Sequence, residues 1–241
     1  MQAVIFCGGL ATRLRPLAEK IPKSMIEING KPFLEYQIGI LRKNDIKNIL
    51  LCIGFLGEQI KEYFGDGKKF GVDIKYSEEK KKLLGTGGAL KNAEPILKEK
   101  FFTMYGDSFL LLDFKDAHRY FDNLNKMGLM VVYKNYNRLD YSNIKVRGKY
   151  ITNYYTDKNK RRLVYIDYGL SIFRKSVLDL IPSNKKESLN KIFIKLIKQK
   201  ELLAYRTNQR FYEIGSRKGL EELNKLMSKG FFDDYLKGIK K

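Results

Sequence analysis

The 241-residue chain is poor in the residues that hydrolytic and metal chemistry most often use, with one histidine and two cysteines. His118 falls in a polar stretch, Asp113 to Asn125, that reads as a helix, and is taken as a surface residue rather than a base. No Ser-His-Asp or Cys-His arrangement is visible, which argues against a hydrolase working through a covalent intermediate. Cys7 and Cys52 lie in apolar, strand-like runs without metal-ligand spacing, and read as reduced core residues of a cytoplasmic protein. No apolar run approaches the roughly 20 residues that a membrane span requires. The first residues enter a strand at once, so neither a signal peptide nor membrane attachment is expected. Internal repeats and Pro-, Gly- or Ser-rich linkers are also missing. Acidic residues are scarce beside basic ones, 27 against 47, for a formal net charge of +20. Such a balance suits nucleic acid or an anionic membrane surface, but no RNA-binding signature, zinc-finger spacing or basic heptad region accompanies it. A lysine-rich surface that also draws in anionic substrates is the preferred reading, with no specific nucleic-acid partner.

What is present is a compact chemistry-bearing stretch at the start. The apolar run Ala3-Val4-Ile5-Phe6 reads as a buried strand, and it leads into Cys7-Gly8-Gly9-Leu10-Ala11-Thr12-Arg13-Leu14-Arg15-Pro16 and then Ile21-Pro22-Lys23-Ser24. Two glycines at a strand exit allow a tight turn and close backbone approach to a ligand. Converging N–H groups in such a turn bind anionic oxygens. Thr12, Arg13, Arg15 and Lys23 add a hydroxyl and cations to the same segment. Arginine clamps phosphate oxygens through paired bonds, whereas lysine acts as a mobile point charge. The segment is suited to a polyphosphate, although glycines after a strand are by themselves equally compatible with a solvated connection.

Strand and helix patterns alternate through the first half. Strands are expected at Ala3–Phe6, Ile49–Ile53, Val72–Tyr76 and Phe101–Tyr105, and helices at Pro32–Lys43, Glu58–Phe64 and Ala89–Leu97. This alternation implies right-handed βαβ units on a parallel sheet, with ligands at the carboxyl ends of the strands, where Gly8-Gly9 and Asp107 fall. In the second half, strand-like runs at Leu129–Lys134, Asn143–Arg147, Tyr150–Tyr155 and Tyr165–Phe173 are joined by short polar connections. Helices at Lys175–Ile181 and Ser188–Lys198, strands near Leu202–Tyr205 and Phe211–Ile214, and a last helix at Arg217–Met227 follow.

The combination of strand, Gly-Gly, Thr-Arg and Pro-Lys resembles the signature of the sugar-phosphate nucleotidyltransferases (NDP-sugar pyrophosphorylases), G-G-x-G-T-R-L-x-P-x-T…P-K. Gly8, Gly9, Thr12, Arg13, Leu14, Pro16, Pro22 and Lys23 match, while Ala11 replaces the third glycine and Ala18 stands where threonine is common. Leu84-Gly85-Thr86-Gly87-Gly88-Ala89-Leu90 is similar to the family's L-G-T-[AG]-G-A-L segment, where the loop contacts the nucleobase. Leu83 stands where uridylyl and thymidylyl enzymes often carry a glutamine, a departure that favours another base. Gly106-Asp107 matches the G-D pair, and Phe211-Tyr212-Glu213-Ile214-Gly215-Ser216 matches the late aromatic-x-D-x-G segment with Glu for Asp. More loosely, Tyr155-Thr156-Asp157-Lys158 resembles the E-K-P segment, and Ile166-Asp167-Tyr168-Gly169-Leu170 the N-x-G-[IV] segment. Asp140-Tyr141-Ser142-Asn143 takes the place of a Tyr-Gly pair. The hexapeptide repeats that some members append are absent.

The resemblance implies a three-layer, Rossmann-like α/β nucleotide-diphospho-sugar transferase fold with a central mixed, mostly parallel sheet. It is expected as one domain over 1–241, with a nucleotide-binding front half, about 1–135, and a sugar-phosphate-binding back half, about 136–241. The implied reaction joins a nucleoside triphosphate to a sugar 1-phosphate and releases pyrophosphate, with Mg²⁺ as cofactor. On this reading Arg13, Lys23 and Lys158 are catalytic, and Gly8, Gly9, Ala11, Thr12, Gly85, Thr86 and Gly88 bind the nucleotide. Asp157, Asp167 and Gly169 bind the sugar, and Asp107 and Glu213 hold the metal. Met1-Gln2-Ala3-Val4-Ile5 with Ile28-Asn29-Gly30-Lys31-Pro32-Phe33-Leu34-Glu35-Tyr36 looks most like heptose and mannose 1-phosphate guanylyltransferases. Uridylyl or cytidylyl transfer to another phosphorylated sugar or polyol stays open. So does a catalytically silent nucleotide-sugar sensor, which Ala11 and Glu213 keep alive and the retained Lys23 and Asp107 argue against. A homodimer is the assembly considered beside the single chain.

Overall fold

The computed structural model describes residues 1–10, 14, 19–80, 82–157 and 162–238. In chain order the elements are β1 (Gln2–Phe6), β2 (Glu27–Ile28), β3 (Lys31–Pro32), α1 (Phe33–Lys43), β4 (Asn48–Ile53), α2 (Gly57–Phe64) and β5 (Asp73–Glu78). Then come α3 (Gly85–Asn92), β6 (Lys100–Tyr105), β7 (Ser108–Phe109), α4 (Phe114–Asp122), β8 (Gly128–Lys134), β9 (Ile144–Arg147), β10 (Tyr150–Tyr154) and β11 (Tyr165–Arg174). The last are α5 (Leu189–Lys198), β12 (Leu202–Thr207), β13 (Tyr212–Glu213), α6 (Arg217–Met227) and α7 (Phe231–Lys237). Two compact units emerge, the first built from three stretches of chain and the second from two. The first comprises Met1–Leu83, Met104–Leu111 and Phe211–Lys241, and the second Leu84–Thr103 and Leu112–Arg210.

In the first unit β5, β4 and β1 lie side by side and run parallel. The cause is legible in composition, since Ala3, Val4, Ile5 and Ile49 to Ile53 are buried almost without exception, as a strand covered on both faces requires. Helix α1 lays Phe33, Leu34, Ile38, Ile40 and Leu41 into this core. Helix α7, which the sequence reading missed, lies between two left-handed glycines, Gly230 and Gly238, that start and stop it. Its Phe232 ring packs edge-on against Tyr36 at 4.8 Å. Short β13 pairs with β7, setting Tyr212 opposite Phe109 and Glu213 opposite Ser108.

The second unit orders its strands β11-β8-β12-β10-β9. Only β8–β12 is parallel there, the other pairings being antiparallel, so the sheet is mixed. The expected helix at Ala89–Leu97 is instead α3, followed by a 3₁₀ turn, Glu94–Ile96. Pro95 disfavours helical backbone just before it, and α3 begins early because the N–H groups of Gly87 and Gly88 find an acceptor in the Glu187 carbonyl, at 3.0 and 3.2 Å. The segment Lys175–Leu180 is 3₁₀ rather than α.

Candidate active site

The first unit carries the strongest sequence matches at the carboxyl ends of its strands. Past the end of β1, the Cys7 N–H donates to the Cys52 carbonyl at 2.8 Å, so the chain follows β4 for one residue more before the Gly-Gly turn. A Cβ on Gly8 would lie 2.8 Å from Glu79 Oε2 and 3.2 Å from the Gly54 nitrogen. A side chain there would crowd the Gly54 backbone just past β4 and push the Glu79 carboxylate aside. Gly9 faces open space. Beyond β6 the chain turns through Gly106-Asp107, with the Gly106 N–H on the Phe6 carbonyl at 3.0 Å. Lys23 opens a 3₁₀ turn, Lys23–Met25, behind Pro22, and its Nζ reaches Asp107 Oδ2 at 2.5 Å. Two residues 84 positions apart thus meet at a strand edge, both largely shielded from solvent.

Two further side chains hold this corner. Gln37, wholly buried on α1, donates through Nε2 to the Tyr105 carbonyl at 2.8 Å and the Ser108 carbonyl at 2.7 Å. It clamps the turn on both sides of Asp107. Sequence reasoning passed over it, although a glutamine among the apolar residues of an amphipathic helix was the available signal. The Cys7 thiol is pushed up to about 12, mainly by burial, with a bond to Ser24 opposing and the charge of Asp107 adding. It is a protonated core group, and Cys52 is likewise buried, outside any disulfide, and raised. Glu213 lies beside Asp107 through the backbone, for the Ile214 N–H donates to the Asp107 carbonyl at 2.9 Å. Its carboxylate folds onto its own turn, accepting from the Gly215 N–H and from the Ser216 hydroxyl at 2.5 Å. Ser216 in turn caps α6 by accepting from the Gly219 N–H at 3.0 Å.

Elsewhere, the second unit holds the remaining described candidates. The Gly87 and Gly88 N–H groups are taken by Glu187, and Thr86 Oγ1 accepts from the Leu189 N–H at 3.0 Å. The glycine cluster therefore docks the 187–189 segment against α3. Gly85, at φ +70°, sits where a Cβ would meet the Glu187 carbonyl oxygen at 2.6 Å. Asp157 is exposed shortly after β10. Asp167 and Gly169 form a distinct construction. From Asp167 to Ser171 β11 advances four residues while β8 moves only two, Val132 to Met130, so β11 bulges. Gly169 takes φ +89°, and Asp167 Oδ1 accepts its N–H at 2.9 Å.

Around Asp167 the antiparallel strands bring together Asn143 and Tyr154, and α5 adds Asn190. Asn143 Oδ1 accepts from the Asp167 N–H at 3.4 Å, and its side chain also bonds the Tyr154 hydroxyl. The single proton of the Tyr154 hydroxyl is shared between the Asp167 carboxylate and Asn190 Oδ1, the latter at 3.2 Å. Burial pushes the Asp167 carboxyl up to about 6, against the lowering effect of the Gly169 N–H and Tyr154. It also raises the Tyr154 hydroxyl, with the Asp167 charge adding. The loop that delivers Asn143 is locked by Asn135, wholly buried, whose Nδ2 donates to the Asp140 carbonyl at 2.7 Å and Ser142 Oγ at 3.0 Å. Asn135 Oδ1 accepts from the Leu139 N–H at 3.0 Å. Sequence reasoning missed Asn135, Tyr154 and Asn190. A glycine inside a strand pattern was the one signal of a bulge there.

Ala11, Thr12, Arg13 and Lys158 lie outside the described residues. His118 belongs to α4, its Nε2 lying 3.1 Å from Asp122 Oδ2, and burial lowers its pKa. Among the described residues no three or more His, Cys, Asp or Glu gather as a metal cluster, and no helix is long and apolar enough to cross a membrane.

Comparison with known proteins places the chain in a family and a fold. The family profile described as nucleotidyl transferase matches residues 2–230. A D-glycero-alpha-D-manno-heptose 1-phosphate guanylyltransferase of Campylobacter jejuni is 33% identical over 216 residues, 89% of this chain and 95% of the relative. The catalytic subunit beta of Drosophila melanogaster mannose-1-phosphate guanylyltransferase is 31% identical over 222 residues, 90% of this chain and 60% of that subunit. Among solved structures, HddC of Yersinia pseudotuberculosis in complex with GMP-PN superposes with a TM-score of 0.79 at 24% identity, covering 94% of this chain and 99% of HddC. This chain belongs to the nucleotidyl transferase family and has its mixed-sheet α/β fold.

Proposed function

We propose that the enzyme transfers a guanylyl group from GTP to heptose or mannose 1-phosphate, releasing pyrophosphate, with Mg²⁺ as cofactor. The observation that carries the reading is the Lys23–Asp107 pair at the strand edge, 2.5 Å apart on a turn clamped by Gln37. The choice of base and sugar is supported by the two guanylyltransferase relatives and by the absence of glutamine at Leu83.

An acceptor phosphate oxygen attacks the α-phosphorus in line, the bond to the bridging oxygen breaks, and pyrophosphate departs. Little covalent chemistry falls to the protein, so positioning and charge neutralisation dominate. Lys23 has three N–H donors, enough to keep Asp107 and still meet an α-phosphate oxygen. Gly8, Gly9, Ala11, Thr12 and Arg13 are assigned to the leaving phosphates, and Lys158 to the acceptor phosphate, on their motif matches. Gly85, Thr86 and Gly88 are assigned to the base, and Asp157, Asp167 and Gly169 to the sugar, on the same motif matches.

The donor chemistry fits Mg²⁺, a hard cation that takes one or two carboxylates and fills its shell with water and phosphate. Asp107 is partly exposed, and Glu213 lies next to it through the backbone. Asp107 would hold the ion directly, and Glu213 would join it by releasing the Gly215 and Ser216 bonds. Bound there, Mg²⁺ neutralises phosphate charge. The test is pyrophosphate release from each common nucleoside triphosphate paired with a panel of sugar 1-phosphates. GTP with heptose or mannose 1-phosphate is the expected pair. A clear preference for a pyrimidine nucleotide overturns the guanylyl assignment.

A further inference from the structure

A surface helix gains when each charge it exposes is answered by an opposite one a turn away. Helix α2 pairs Lys61 with Glu58 at 2.9 Å, and α4 pairs Arg119 with Asp116 at 3.4 Å. Helix α5 is built differently. It buries Leu189, Ile192, Phe193 and Leu196 in the second unit. Lys191, Lys195 and Lys198, at i, i+4 and i+7, therefore share its outer face, and all three are exposed. With Lys185 and Lys186 before the helix and Lys200 after it, residues 182–200 hold six lysines and one acid, Glu187. The Glu187 side chain is turned inward, 10% exposed, and pairs with Lys191 at 3.2 Å. No other ion pair reaches these lysines among the described residues, and none of the remaining residues is an aspartate or glutamate. Asp179 is exposed close by in sequence, but Lys195 Nζ donates instead to the Leu180 carbonyl at 2.6 Å. The arrangement costs stability twice. Like charges a turn apart repel, and Lys191 occupies a first turn that holds no acidic residue, at the positive end of the helix dipole. Natural proteins tolerate such local conflict at functional sites.

We propose that the outer face of α5 docks the protein peripherally on an anionic lipid bilayer. Charge complementarity selects a polyanion, and the make-up of the face selects lipid over nucleic acid. All six cations are lysines, mobile point charges, and none is an arginine, whose planar fork grips individual phosphates. No aromatic ring stands outward for a base to stack on. The one aromatic residue of the helix, Phe193, is buried against Phe173 and Tyr154. Instead Ile194, half-buried, lies among Lys191, Lys195 and Lys198, an apolar side chain that a headgroup layer accepts. Among the described residues no helix is long and apolar enough to cross a membrane, and a peripheral contact needs none. Near an anionic surface each lysine strengthens binding about fivefold, an effect that fades beyond a Debye length.

The experiment follows sedimentation of the full chain with vesicles of phosphatidylcholine alone and of an equimolar mixture with phosphatidylglycerol. It compares the wild type with Lys191→Gln/Lys195→Gln/Lys198→Gln. A control, Lys47→Gln/Lys69→Gln/Lys75→Gln, removes the same charge from the first unit. Glutamine keeps a long stem and a helix propensity close to that of lysine, so the α5 variant should melt no lower than the wild type. At about 0.1 M salt the wild type should bind the anionic vesicles and not the neutral ones, and binding should vanish toward about 1 M. The α5 variant should bind about a hundredfold more weakly, and the control nearly as well as the wild type. The assay needs no substrate, so it stands or falls apart from the transfer reading. No binding to the anionic vesicles, equal binding to the neutral ones, or an equal loss in both variants overturns the proposal. Tighter binding of single-stranded RNA than of vesicles, lost in the same α5 variant, overturns it in favour of nucleic acid.

Discussion

Replacing Gln37 with leucine tests how the strand edge is held. The side chain is wholly buried, and its Nε2 supplies donors to the Tyr105 and Ser108 carbonyls at 2.8 and 2.7 Å. Leucine has nearly the same length, so little cavity is created and the loss is chiefly of hydrogen bonds. Each net bond contributes about 1 kcal/mol, and a carbonyl left buried and unpaired costs about 1–3 kcal/mol. Gln37 Oε1 has no partner among the described residues, and its removal returns part of that. A net destabilisation of about 2–3 kcal/mol follows. With a urea m-value of about 3 kcal/mol/M for a chain of this size, the midpoint should fall by about 1 M. The same change frees the Gly106-Asp107 turn. A displacement of about 1 Å at a reacting centre costs about a hundredfold, so kcat should drop by between ten- and a hundredfold and the Mg²⁺ concentration for half-maximal rate should rise. Urea melts followed by circular dichroism and an Mg²⁺ titration of pyrophosphate release measure the two effects. A variant with the wild-type midpoint, or one destabilised but with unchanged Mg²⁺ dependence and kcat, would refute the clamp.

Three other outcomes follow from the second unit. Gly169→Ala places a Cβ at φ +89° and should cost about 1–2 kcal/mol in a urea melt, while raising the acceptor KM more than the nucleotide KM. Asn135→Ala removes three side-chain bonds and should destabilise by about 2–4 kcal/mol. An unchanged melt would show that the loop does not depend on them. The raised Asp167 carboxyl sets a pH signature. Its folded value of about 6 lies above the ordinary aspartate value of 3.8, so between these values the folded chain binds more protons than the unfolded one. Its contribution to stability is therefore complete below about 4 and is lost as pH rises through about 6. Asp167→Asn should remove that falling component from the stability–pH curve, and an identical curve would contradict it.

The legible and hidden parts of the site differ by sequence distance. Gly8, Lys23 and Asp107 stood out because they fall in short motif runs, two of them at strand exits, and the parallel strands of the first unit read directly from unbroken apolar stretches. The glycines at 85–88 were legible as a cluster but not in their packing, because the acceptor of their N–H groups, Glu187, lies a hundred residues on. Asn143, Tyr154, Asp167 and Asn190 carry no shared motif, since antiparallel pairing, a bulge and the docking of α5 bring them together. Helix α7 was missed because it is short and is held by ring contacts distant in sequence, Phe232 on Tyr36 and on Phe109.

The most direct test of the central claim is Mg²⁺-dependent pyrophosphate release from GTP and heptose or mannose 1-phosphate by the wild type and by Lys23→Met. The pair at the strand edge predicts robust release by the wild type and a loss of about a hundredfold or more in kcat for a folded Lys23→Met, the scale on which removing one stabilising group from a transition state is felt. Near-wild-type release by Lys23→Met would contradict the role given to the Lys23–Asp107 pair. Nucleotide binding by the wild type without pyrophosphate release from any acceptor would contradict the enzyme itself.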